Sequence, residues 1–460
     1  MLRRRLNVCL FGATAVLATA LAAPAPLHAQ NQNNAAGVIV DADGVLRTRV
    51  VTDRFGELMK RRVTEAKAAL DRDLARPSKI RYVSLTRLEA AIAEKLARGE
   101  VLTDEMKSLA GLTRIQYVFF YPETGDIVIA GPAEGFTPDL TGRIVGITSG
   151  RATLQLEDMI VALRAFPPGG QKTDVVGCSI DPTKEGLKRM QDFLVAISGR
   201  VAPSDAERIA LGLRENLGLQ TVTINGVSPN THFAQVLVEA DYRMKLIGIG
   251  LETPPVKITS YVSKARPRDV ARNAMQRWYF TPDYECVRVS EDKLAMELVG
   301  QGVKLIGADE LVRADGTRVA AADSDAAGNA FTKSFTARYE ALADKSPVYA
   351  QLRNLIDMAV AAAFIQQQDY YGQADWRMEV FSSEDALAVE TYEAPKQVET
   401  AVNAIWKGNT LMTPVGGGVN IRPRLALSSD NLLSDDKGEV KSLREQTGIG
   451  ELAKDRWWWD

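Results

Sequence analysis

Few residues in this sequence can move a proton near neutral pH. The histidines are His28 and His232, and the cysteines are Cys9, Cys178 and Cys286. A Ser-His-Asp triad would need one of those histidines together with a Gly-x-Ser-x-Gly turn to present the serine, and no such turn occurs. A His-Glu-x-x-His pair is absent, and the cysteines are too scattered for a zinc site. His232 follows Pro229-Asn230 at the expected first turn of a helix, where it reads as a helix-terminal polar residue held neutral by the helix N-terminus. Asp41-x-Asp43-Gly44 and Asp323-x-Asp325-x-x-Gly328 begin like calcium loops. The first places glycine too early, and the second has Ser334 where the closing glutamate belongs, so both read as Asp/Gly turns. Gly416-Gly417-Gly418 lacks the Lys-Ser/Thr ending of a phosphate loop and reads as a turn before a strand. No cofactor motif is present. Paired carboxylates stay open as an acid–base device, because spacing along a chain does not report distance in space.

The elements that must position these residues follow from periodicity. An alternating pattern at Gly37–Val40 and Val45–Val50 around Asp41–Gly44 predicts a hairpin, and Phe55, Leu58, Met59, Val63, Ala66 and Leu70 predict a helix. Thr86 with Glu89 suggests a capping box for a helix ending at Gly99. Ile115–Tyr121 and Asp126–Ala130 form a second expected hairpin. Asp181-Pro182 reads as a helix start, between expected strands at 175–180 and 222–227. The helix expected over 231–246 carries Glu239/Arg243 and Asp241/Lys245 four apart, a spacing that reads as a solvated face. Pro254-Pro255 breaks the β-then-α rhythm. Short antiparallel strands are expected beyond it, then two long helices, the second opening at Ser346-Pro347 and too briefly apolar to span a membrane. The fold class is therefore α+β: an α/β region over 30–252 that opens with a β-hairpin and helix, a Pro-containing linker at 253–262, antiparallel β plus helices over 263–427, and a polar tail over 428–460.

Residues 1–29 read as a signal peptide: Arg3, Arg4 and Arg5, an apolar run from Val8 to Ala22, and a small-residue end at Ala29, with Ala22 as an alternative cleavage point. The mature chain is then expected to begin at Gln30 and to work outside the cytoplasm, in the periplasm, the cell envelope or the medium. Loss of three of the 56 basic residues leaves 58 acidic ones in excess by five, a balance that does not attract nucleic acid. Cys178 and Cys286 remain in a compartment that permits disulfides, and a bridge between them would close a loop of roughly 100 residues; two separate buried thiols are the alternative. Trp457, Trp458 and Trp459 hold half of the six tryptophans. They are expected to dock on their own domain, a partner contact being the alternative.

Several stretches carry a resemblance: Ile127-Val128-Ile129-Ala130-Gly131-Pro132-Ala133-Glu134-Gly135, Cys178-Ser179-Ile180-Asp181-Pro182-Thr183, Ala240-Asp241-Tyr242-Arg243-Met244-Lys245, Arg277-Trp278-Tyr279-Phe280, Gln351-Leu352-Arg353-Asn354 and Gly417-Gly418-Val419-Asn420-Ile421. From about Gly37 to Leu427 the chain resembles an uncharacterised family of bacterial exported proteins known as a domain of unknown function, the one numbered 1598. The resemblance implies export and one integrated architecture, and supplies no activity, ligand or catalytic residue. The sequence thus leans away from an enzyme. It points to a non-catalytic envelope protein that binds another protein or a polymer without a transmembrane span, with a carboxylate-dependent hydrolase of an envelope polymer as the alternative.

Overall fold

In the strands Tyr117–Tyr121 and Asp126–Ala133 successive side chains go to opposite faces. Val118, Phe120, Ile127 and Ile129 enter the main apolar core, while Phe119, Tyr121, Val128 and Ala130 enter a second one that Val440, Ile449 and Trp459 cover. A sheet buried on both faces explains why these strands read as nearly unbroken apolar runs. The computed structural model describes residues 34–170, 173–197, 202–266, 274–275, 277–283, 286–307, 310–312, 318–320, 326–403, 405–407, 410–412, 418–447, 449–453 and 455–460. The signal peptide expected at 1–29, with Cys9 and His28, lies outside them, as do Asp323, Asp325, Gly416 and Gly417.

The fold is α+β, built on two large mixed sheets. One runs in the order Asn34–Val40, Val45–Thr52, Gln397–Val398, Gln220–Asn225, Val176–Asp181, Gly418–Ile421, Trp278–Pro282, Val303–Gly307. The other runs Leu432–Ser434, Val287–Val289, Ala295–Leu298, Tyr117–Tyr121, Asp126–Ala133, Ser78–Ser84, Trp458–Trp459. Both sheets interleave strands from either side of the expected linker at 253–262. The division into a 30–252 region and a 263–427 region is therefore not a structural one, because strand pairing joins the two stretches edge to edge. The polar tail at 428–460 is likewise part of the fold, supplying two edge strands and the helix Glu439–Glu445.

One continuous apolar core takes in both sheets and the helices Leu156–Ala165, His232–Gly248 and Pro347–Gln367. The last helix is long and apolar enough by composition to cross a membrane, and all of its apolar window is buried within the protein. Local start signals differ from expectation at two places. Ser84, not Thr86, caps the helix Leu85–Ala97, accepting from the Arg87 amide at 3.2 Å. Glu89 turns into the core instead, where it accepts from the Trp376 indole and from the amides of Val380 and Phe381 at 2.8 and 2.7 Å. Asp181 stays in its strand and pairs with Arg277 at 2.9 Å, while Thr183 accepts from the Gly186 amide at 3.0 Å to start the helix Lys184–Ile197.

Docking of the tryptophans is specific. Trp458 and Trp459 pair antiparallel with Val83 and Tyr82, and Trp459 stacks on Tyr82 with centroids 5.4 Å apart. Trp457 and Trp459 are buried, so a partner contact would have only the half-buried Trp458 to use. Beneath them the fully buried Arg81 guanidinium lies 4.7 Å from the Trp458 ring and binds both carboxylate oxygens of Asp460, at 2.7 and 3.2 Å. Burial alone would raise the Asp460 pKa, but Arg81 outweighs it and holds it below the usual carboxylate value. The pair thus contributes fully above the unfolded value and is lost only as the pH falls through the lowered one. Asp460→Asn leaves the buried Arg81 guanidinium to backbone carbonyls such as those of Ala110 and Asp73 and, with Asp460 itself partly in solvent, should cost about 1–2 kcal/mol in urea unfolding at pH 7. Deleting Leu452–Asp460 should cost more.

Candidate functional site

The hairpin Phe136–Pro138/Ile144–Gly146 carries a tight loop built on Asp139, whose Oδ1 accepts from the Thr141 and Arg143 amides at 2.8 and 3.0 Å. That loop aims Arg143 at the helix His232–Gly248, where its guanidinium pairs with the buried Glu239 carboxylate. Arg143 Nε also donates to Gln351 Oε1 at 2.8 Å, from the helix Pro347–Gln367. Glu239 in turn faces Arg243, which binds Glu252 at 2.7 Å.

His232 stands at the first position of its helix, after Thr231, whose hydroxyl caps the Ala234 amide at 3.2 Å. Its Nδ1 lies 2.9 and 3.0 Å from the two oxygens of Asp158, in the first turn of the helix Leu156–Ala165. Acids are favoured there by the partial positive charge of the helix N-terminus. Next to Asp158, Glu157 accepts from the Tyr392 hydroxyl at 3.0 Å. Tyr392 is fixed by a reciprocal pair, its amide donating to the Asn230 carbonyl and the Asn230 amide group donating to its own carbonyl, both at 3.0 Å. His232, Glu157 and Tyr392 line a polar chamber of about 260 Å³ together with Arg143, Glu239, Gln351 and Gln155, and Asp158 stands behind His232.

The chamber's charges are not at their ordinary values. Burial by itself lowers the His232 pKa, but Asp158 and then Glu157 outweigh it and raise it to about 9. Gln351 Nε2, 3.3 Å from His232 Nε2, can donate to it only when the ring is neutral. That contact is long and uncharged, so the two carboxylates prevail. The expectation of a neutral, merely helix-terminal His232 is thus overturned by the acids brought beside it. Burial and then Asp158 raise the Glu157 pKa, against a lowering by His232 and Tyr392.

At Gly142, Ile144, Gln155 and Glu157 the chamber borders a much larger groove of about 1260 Å³. Leu70, Leu96, Leu102, Phe136, Ile144 and Ile160 give it apolar walls, and the helix Glu57–Ala69 contributes Arg62, Glu65, Ala66 and Ala69 to one side.

The remaining candidates lie elsewhere. Asp241 and Lys245, expected on a solvated face, are buried 3.3 Å apart because that side of their helix packs on the strand Val176–Asp181. Burial first raises the Asp241 pKa, which Lys245 only partly offsets, leaving it at about 6. Cys178 and Cys286 are buried free thiols: the first sits inside one sheet, the second leads into the strand Val287–Val289 of the other, and no bridge joins them. Asp41 makes an ordinary turn, accepting from the Val45 amide at 2.9 Å and pairing with Arg47.

Residues 178–261 match the family DUF1598, described as a protein of unknown function. The matched segment covers the strand at Cys178, the strand Gln220–Asn225 and the helix His232–Gly248, and so contributes His232, Gln235 and Glu239 to the chamber. The match is narrower than the resemblance read along the sequence. Arg143, Glu157, Asp158, Gln351 and Tyr392 fall outside it. No curated protein and no solved structure matches the chain. Three chamber residues had a signal in the sequence: His232 as the histidine left once the expected leader is removed, Glu239 in a pair read as a solvated face, and Gln351 in a stretch that carries the family resemblance. Arg143, Glu157 and Tyr392 had none, nor did Asp158 beside them.

A raised folded-state pKa means that the His232 contribution to stability is complete below about 6.5, the unfolded value, and is lost as the pH rises through the folded one. Proton NMR of the mature protein should give His232 a midpoint near 9, and Asp158→Asn should bring it down. A wild-type midpoint at or below about 6.5 would contradict this charge assignment.

Proposed function

We propose that the mature chain is an exported, non-catalytic binding protein of the cell envelope, and that its groove seats an extended, largely apolar ligand segment. The leader at 1–29 supports export. The observation that carries the binding reading is the groove itself, with largely apolar walls and with Gln155 and Glu157 where it borders the polar chamber, a make-up usual for a ligand site. Among the described residues its outer helix, Glu57–Ala69, buries none of its side chains fully and leaves Leu58 exposed.

A second reading, a carboxylate-dependent hydrolase acting on an envelope polymer, is favoured by one observation: Glu157 is a carboxyl with a raised pKa bordering a cleft. Such chemistry needs a second carboxylate as base or nucleophile. Asp158 is held by His232, and Glu239 by Arg143 and Arg243. Binding is therefore the better supported of the two.

N-phenyl-1-naphthylamine, a neutral apolar dye, should fluoresce on entering the groove and be displaced by decanol. Ala66→Trp fills the groove from a half-buried helix position and should weaken dye binding roughly tenfold, while shifting stability by no more than about 0.5 kcal/mol. Unchanged dye affinity would overturn the groove as the binding site. Hydrolysis of an isolated envelope polymer that Glu157→Gln abolishes would establish the second reading.

A further inference from the structure

The chamber neutralises its charges in pairs. Asp158 answers His232, Glu239 answers Arg143, and Glu252 answers Arg243. Glu157 is the acid left over. Among the described residues it has no ion-pair partner within bonding distance, only the Tyr392 hydroxyl on Oε1. It borders both the chamber and the apolar groove. A half-buried carboxylate that must share the nearest cation, His232, with Asp158 is under-compensated in the free protein. The other acids of the groove are answered: Glu65 pairs with Arg61 at 2.8 Å, Glu100 with Lys95 and Arg98 at 2.9 and 2.7 Å, and Asp104 with Lys107 at 3.5 Å, while Arg62 donates to the Pro138 and Asp139 carbonyls.

Resting on the reading of the groove as a ligand site, we infer that its ligand is a cationic amphiphile, with its apolar chain in the groove and its ammonium group on Glu157. An ammonium head brings the missing charge and donates to the carboxylate. A sulfate or carboxylate head would meet an acidic junction, and a hydroxyl head would leave the Glu157 charge unanswered. Gln155 supplies a second acceptor at the junction, since its amide nitrogen already donates to Thr153 Oγ1 at 2.9 Å and its side-chain oxygen remains for a ligand N–H. Tyr392 stays on Glu157 Oε1 and fixes the carboxylate plane, which leaves Oε2 for the head.

The test is displacement of N-phenyl-1-naphthylamine from the mature protein by decylammonium, decanol and decyl sulfate, which share one chain length. The expected order is decylammonium, then decanol, then decyl sulfate, with roughly tenfold between the first two. Glu157→Gln should bring decylammonium and decanol to within about twofold of each other. Equal affinity for decylammonium and decanol in the wild type, or an ammonium preference that survives Glu157→Gln, would overturn the inference while leaving the groove reading intact. Failure of decanol and decylammonium alike to displace the dye would overturn both. The wild-type ranking stands as a test even should the variant fold poorly.

Discussion

The pairing of Arg143 with Glu239 is the contact on which the chamber and the packing around it both depend. Helix His232–Gly248 is buried against a sheet on one side and the helix Pro347–Gln367 on another, yet it carries Glu239, Asp241, Arg243 and Lys245. Charges in that position are tolerated only when answered at short range. Arg143 answers Glu239 from the hairpin loop, and the same guanidinium fixes Gln351 on the neighbouring helix. Three elements distant in sequence are held together by one side chain. From Gln351 the contacts continue to His232, Asp158, Glu157 and Tyr392, so the polarity of the chamber is a consequence of how the helices are packed.

The same constraint separates chemistry from binding. Acid–base catalysis needs groups whose protons are free to move between substrate and protein. Most ionisable groups of the chamber are committed to one another, and Glu157 is the exception. Its place where the chamber borders the apolar groove suits the recognition role proposed for it. One wall of that groove is the helix Glu57–Ala69, an element with no fully buried residue. Elements with so few buried contacts open at the lowest free energies in a fold, which is consistent with the proposed entry of a chain there.

Secondary structure was largely legible in the sequence because it rests on local periodicity. The hairpin around Asp41–Gly44, the helix capped by Thr231 and the buried helix Pro347–Gln367 all follow from spacing and turn residues. What escaped was anything set by pairing across long stretches of chain. Strand Gly418–Ile421 lies between Val176–Asp181 and Trp278–Pro282, and no local signal encodes that order. Glu239/Arg243 and Asp241/Lys245 have the spacing of solvated pairs; the strand Val176–Asp181 packed on Asp241/Lys245 buries that pair, and Glu239 is buried where Arg143 reaches it from another element. The Thr86/Glu89 pattern was misleading for a related reason: Ser84 lies nearer the helix start, and Glu89 has better partners in the core. The chamber draws on six separate stretches, and its acid Glu157 with the adjacent Asp158 looks like any first-turn pair.

Mutual neutralisation of buried charge is the core of this account, and a double-mutant cycle on Arg143 and Glu239 tests it most directly. Each single change, Arg143→Met or Glu239→Leu, should cost about 3 kcal/mol in urea unfolding, because each removes the shortest answer to its partner's charge, leaving Glu239 to Arg243 at 3.5 Å or Arg143 to uncharged groups such as Gln351. The double variant, with apolar side chains of similar size facing each other, should be more stable than either single one. Single costs that are small and simply add would contradict the account and make the pair an incidental contact.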